Sequence, residues 1–375
     1  MIKSLTSLRF VFAFMVFMHH NVIFADFLLL KHLFSEGYAG VSFFFVLSGF
    51  ILSCSYRERL LSGKTGALQF YKARIARIYP LHLLTFIIAA ILLEPFCFNF
   101  EYSVKFISNL TLTQSFLPFR ETYFAFNFPS WSISDEMFFY FLFPFIIYPA
   151  CKKQNVFHIL LFSVLTILFF LTFIIKKETY QHALFYINPV TRLADFCIGI
   201  CLYNFCVRVS ARHKETLKNI KWGRVEIMAV AFFIGFYLLS YYIPQVYRYS
   251  FWYWIPMSLL IAVFYLSRNG LCSKILSNKY FVALGEISFG FYLFHRLIGQ
   301  IFSDFISKMQ IDMPYPYCFI IIFTTTLLAS YLSFKYYETP CNKIIKQLHI
   351  SSFKNLYKKN IKRMSSVYSG CKRQF

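Results

Sequence analysis

Arg9 and His20 lie in one apolar stretch with ten residues between them. Imidazole exchanges a proton near neutral pH, and guanidinium holds anions through a planar fork of donors. In a helix, at 100° per residue, His20 falls about 20° from Arg9 and about 16 Å further along the axis. His19 falls about 80° away. His20 therefore shares the Arg9 face and is the candidate proton acceptor. The bland alternative is a histidine that caps a polar contact between helices at the outer membrane face. Arg74 and Arg77 are three residues apart and project together. Such a pair suits phosphate, which accepts bidentate hydrogen bonds, or it is simple cytoplasmic anchoring. Asp135 and Glu136 are adjacent in Trp131-Ser132-Ile133-Ser134-Asp135-Glu136. Neighbours on a helix point about 100° apart, so they do not form an acid/base dyad. Phe139 and Tyr140 share the Glu136 face, a carboxylate and a phenol suited to a sugar. Asp135 shares its face with Phe138 and Phe139, which suits packing or the interface. Alternatively Glu136 pairs with a base such as Arg192 and only supports the fold. Ser288, Tyr292 and His295 fall on one helical face. The ten cysteines form no CxxC pair and offer no zinc set, so no metal is expected.

The elements that carry these residues follow from composition. The chain has 375 residues, 58% hydrophobic, 22% aromatic and only 14% charged. Soluble domains are about 45–50% apolar and about 25% charged. The composition excludes a soluble domain, a disordered chain and a secreted disulfide scaffold, and leaves a polytopic membrane protein. A span needs about 20 mostly apolar residues. Ten candidates are predicted, at 8–25, 38–56, 79–98, 130–149, 157–175, 190–207, 225–243, 251–267, 283–302 and 315–336. A short interfacial helix is expected within 99–129. With the N-terminus inside, 27 basic residues fall on cytoplasmic segments, seven outside and four within spans. That bias predicts both termini in the cytoplasm and explains most of the +22 net charge, so no nucleic-acid partner is expected. Residues 343–375 read as a basic cytoplasmic tail that hugs anionic lipid.

Seven segments, in order, resemble the acyltransferase-3 family of bacterial integral membrane O-acyltransferases. They are Arg9 with His20, the run 40–50 ending Ser48-Gly49-Phe50, and Arg74 to Pro80. Trp131 to Glu136 follows, then Arg192 with Phe196 and Gly199. The last two are Gly285 with Ser288, Tyr292 and His295, and Glu338 with Pro340. The resemblance covers about 5–342, and the domain is drawn as 1–342. Three positions depart from the family pattern: Ser42 replaces an Asp, Asp135 an apolar residue and Arg296 a Trp.

The resemblance implies an all-α fold in the bacterial inner membrane and transfer of an acetyl group from acetyl-CoA to a sugar or polysaccharide hydroxyl. It implies that Arg74 and Arg77 hold the donor's phosphates and that His20 is the general base, or carries the acyl group itself. Arg9 assists. Trp131 and Glu136 line the acceptor's site, and Tyr292 and His295 line it too or serve packing. Many relatives carry an added extracytoplasmic esterase-like domain, which is not expected here. The competing reading is a transporter or flippase of a sugar-containing solute, with the same charges as its path. The sequence lacks the paired broken helices and internal repeat that such a path favours.

Overall fold

A computed structural model describes residues 2–21, 28–97, 99–267 and 270–348. Every regular element among them is helical. Each of the ten predicted spans is a helix: α1 (Lys3–His20), α2 (Gly40–Leu61), α3 (Ala67–Leu92), α4 (Ser130–Lys152) and α5 (Gln154–Ile174), then α6 (Pro189–Arg212), α7 (Trp222–Leu239), α8 (Trp254–Leu266), α9 (Lys279–Lys308) and α10 (Tyr315–Ser333). Seven of the ten, some with flanking turns, are long and apolar enough to cross a membrane. The exceptions are α1 and α4, diluted by polar residues such as Arg9, His20, Asp135 and Glu136, and the short α8. The chain is an all-α polytopic membrane protein.

Burial separates centre from rim. The apolar window of Lys31–Leu61 is 78% buried, and that of α5 only 17%. Phe162 and Ile174 on α5 and Met228 on α7 are at least 70% exposed, which suits a face against lipid tails. At the centre, α2 packs on α6 and α1 on α9 by backbone contact. A Cβ on Gly49 would strike the Phe196 carbonyl, one on Gly199 the Val46 carbonyl, and one on Gly285 the Thr6 carbonyl. Small residues permit this approach where lipid supplies no hydrophobic drive. The expectation of close packing at Ser48-Gly49 is met here.

Of the boundaries that differ from the sequence reading, two bear on the site. The first helix stops at His20 instead of running to about 25, and residues 22–27 lie outside the described residues. The third begins at Ala67, not at about 79, so Arg74 and Arg77 are inside a helix rather than at its mouth. Basic residues end an apolar window without ending a helix, and Pro80 is accommodated within α3. The short helix expected within 99–129 is Phe100–Leu110, capped by Asn99, whose side chain accepts from the Tyr102 N–H at 2.7 Å. The predicted tail falls largely outside the described residues, which end at 348.

Arg192 and Asp195, the charges that most weakened α6 as a span, are both fully buried and paired at 3.0 Å. Arg192 also donates to the Tyr249 carbonyl (2.6 Å), the Ser250 hydroxyl (2.9 Å) and the Ser42 hydroxyl (2.8 Å). Ser250 and Trp254 donate to Asp195. The pairing of Arg192 with Glu136, open from sequence, is replaced by this network, which ties α6 to α2 and α8.

Candidate active site

Two cavities lie end to end between the central helices. The first, of about 150 Å³, is lined by Arg9 from α1, Ser48 from α2, Arg74 and Arg77 from α3, and Glu136 and Tyr140 from α4. Its remaining wall is largely apolar and includes Phe44, Leu47 and Ile51. Tyr140 and Ser48 both donate to Glu136 Oε1, at 2.5 and 3.0 Å. Arg74 donates to the Tyr56 hydroxyl at 3.0 Å and lies over the Tyr56 and Tyr140 rings. Arg77 lies over Phe289. Glu338, buried on a π-helical turn at Phe334–Glu338, lies within electrostatic reach of Arg9 and Arg77. Three guanidinium groups against two carboxylates leave this chamber with a positive excess, the balance an anionic ligand requires.

The second cavity, of about 450 Å³, is lined by His19, His20, His32, Trp131, His182 and several tyrosines. Its carboxylate is Glu36, which is buried, pairs with Arg248 and accepts from Tyr253 at 2.9 Å. His182 precedes α6, outside the span, and burial with Arg120 nearby pushes its imidazole down to about 4. His182 is therefore neutral at physiological pH, with one ring nitrogen 3.3 Å from the Tyr123 hydroxyl. Aromatic faces with neutral polar edges suit a carbohydrate ring.

Val41 and Tyr292 line both cavities and form the partition between them. The Tyr292 hydroxyl is 2.8 Å from that of Ser132.

The sequence-derived candidates thus separate into two groups. Arg9, Arg74, Arg77 and Glu136 share the first cavity, and His20 and Trp131 line the second. Arg9 and His20 occupy the same helix but different chambers. Glu136, grouped by sequence with Trp131, stands instead among the arginines. The facial argument for Glu136 and Tyr140 matches the structure, since the two are hydrogen-bonded. Asp135 is fully buried and does not reach the interface, and neither carboxylate oxygen accepts a well-formed hydrogen bond. His295 lies behind His20, their rings 5.3 Å apart. His19 lines the same cavity as His20, 4.9 Å from it ring to ring. Sequence reasoning missed Glu36, His182 and Arg248. Arg248 had one signal, being among the seven basic residues expected outside.

A family model described as "Acyltransferase domain" matches residues 2–335. The acyltransferase MdmB of Streptomyces mycarofaciens is 30% identical over 326 residues, 79% of each chain. The O-acetyltransferase OatA of Staphylococcus aureus is 26% identical over 328 residues, 82% of this chain and 53% of that protein. The present chain thus spans about half of the OatA sequence. No solved structure matches.

Proposed function

The chain belongs to the acyltransferase-3 family, and from that premise we propose that it transfers an acetyl group from acetyl-CoA to a sugar hydroxyl. The acceptor in this reading is an envelope polysaccharide or a lipid-linked sugar, and the enzyme sits in the bacterial inner membrane with both termini cytoplasmic. The observation that carries the reading is the pair of cavities meeting at Val41 and Tyr292, one rich in arginine and the other in histidine and aromatic rings. The donor enters the arginine chamber from the cytoplasm. Arg74 and Arg77 hold its phosphates, and Arg9 with Glu136 and Glu338 keeps the inner charge balanced. The thioester lies at the partition. The acceptor binds in the outer chamber against Trp131 and the tyrosines, near Glu36 and Arg248. His20 takes the hydroxyl proton as oxygen attacks the carbonyl carbon, and the proton leaves on the CoA sulfur. A relative named as an O-acetyltransferase supports acetyl as the group carried.

The test is transfer of label from [14C]acetyl-CoA into polysaccharide of membranes containing the protein. Transfer that vanishes with His20→Ala, at unchanged protein level, supports the reading. Membranes that take up no label reject it.

A further inference from the structure

His295 on α9 is fully buried. Its Nδ1 lies 2.6 Å from the carbonyl oxygen of Tyr292, one turn earlier in the same helix. A carbonyl oxygen only accepts, so Nδ1 carries the hydrogen and donates it. In the neutral ring Nε2 is then a bare lone pair. That nitrogen is enclosed and meets no donor among the described residues. A buried acceptor without a donor is costly, and such an exception calls for an explanation.

His20 supplies one. Its ring is 5.3 Å from that of His295 and tilted by 32°, and it borders the outer cavity. The other charged or titratable groups facing the pair are His19 and Arg296. Neither is a carboxylate, so neither orients His20 as an acid orients the base of a hydrolase triad.

We propose that His295 is the positioning residue for His20. A small rotation, or one water between the rings, lets His295 Nε2 accept the N–H of one His20 nitrogen. The other His20 nitrogen is then held as a lone pair turned into the outer cavity. The relay runs from the Tyr292 carbonyl through His295 to His20 and on to the acceptor hydroxyl. This proposal rests on the acyl-transfer reading above. The step balances: the oxygen–carbon bond forms, the carbon–sulfur bond breaks, and the hydroxyl proton passes through His20 to sulfur. His20 returns neutral in its starting tautomer, because its second nitrogen keeps its hydrogen, donated to His295 Nε2, throughout. A neutral orienter also brings no additional negative charge into the membrane interior, where an unpaired charge is costly.

The test uses the full chain in lipid nanodiscs, labelled with [15N]histidine. Ring-nitrogen NMR shifts distinguish the two tautomers, and difference spectra of His20→Gln and His295→Gln assign two of the nine histidines. Wild-type His295 is expected as the Nδ1–H form, and His20 as a single tautomer. In His295→Phe, which keeps bulk but no acceptor, His20 should become a mixture. In parallel, [14C]acetyl transfer to membrane polysaccharide should fall about 10²-fold in His295→Phe. His295→Gln, whose amide oxygen reaches the place of Nε2, should stay within about 10-fold of wild type. Wild-type His295 in the Nε2–H form overturns the proposal, and this needs no variant to fold. So does a His20 signal unmoved in His295→Phe. Wild-type membranes that transfer no acetyl group, with the tautomers as expected, overturn the acyl-transfer reading and leave the placement of the two rings supported.

Discussion

Lysine matches arginine in charge but not in shape, and the arginine chamber is sensitive to the difference. Arg74 holds its guanidinium carbon 5.0 and 5.6 Å from the Tyr56 and Tyr140 ring centres while one nitrogen donates to the Tyr56 hydroxyl. An ammonium group can keep the charge but loses the planar fork and the stacked face. Arg74→Lys and Arg77→Lys should therefore weaken acetyl-CoA binding nearly as much as the alanine variants do. Titrations in detergent at several salt concentrations measure this, and unchanged affinity in the double alanine variant leaves the pair only a topological role. On α1, His20→Ala should reduce transfer by about 10²–10⁴-fold. His19→Ala, rotated off that face, should keep most of it, and label transfer compares the two. The neighbouring acids divide similarly. Glu136→Gln keeps the shape of the group that Ser48 and Tyr140 address but removes a counter-charge from beside the arginines. It should leave membrane levels normal and cut label transfer. Asp135→Asn removes a carboxylate that no well-formed hydrogen bond supports, so transfer and thermal stability should both be retained.

Among the elements, α6 carries a buried ion pair within an apolar span. Arg192→Met would leave Asp195 enclosed and without its cation. Breaking one side of a buried pair costs about 3–5 kcal/mol, so the melting temperature in detergent should drop sharply. Replacing Arg192 and Asp195 together by apolar residues of similar volume should recover much of the loss. Helix existence was legible in the sequence because twenty-residue apolar runs are a strong signal in lipid. The start of α3 was not, since charge ends an apolar window before it ends a helix. The spacing of Arg74 and Arg77 was local and could be read directly. Glu36 and Arg248 could not be paired beforehand, because they come from segments far apart in sequence that meet only when α1, α2 and α8 assemble. The same holds for Glu136: its helical face was readable, but which cavity that face borders depends on where α3 and α9 pack. Arg192 and Asp195, at i and i+3, could have been matched from spacing alone. Their serine and tryptophan partners on other segments could not.

At the scale of the whole molecule, two compartments share two lining side chains. Val41 and Tyr292 face both cavities, and the Tyr292 ring packs near Phe44 and His295 with its hydroxyl 2.8 Å from that of Ser132. On the proposed reaction, an activated acyl group beside these side chains is exposed to a rival nucleophile, since water is abundant where an acceptor would enter. On that same reaction, these side chains would set the coupling ratio, meaning sugar acylated per thioester consumed. Tyr292→Ala should open a leak in which free CoA thiol accumulates while polysaccharide gains little label. Tyr292→Phe keeps the ring and should lose far less coupling. Thiol release and polysaccharide label, measured on the same vesicles, give that ratio directly. A variant can then look fully active by thiol release while it dissipates acetyl-CoA in a futile cycle.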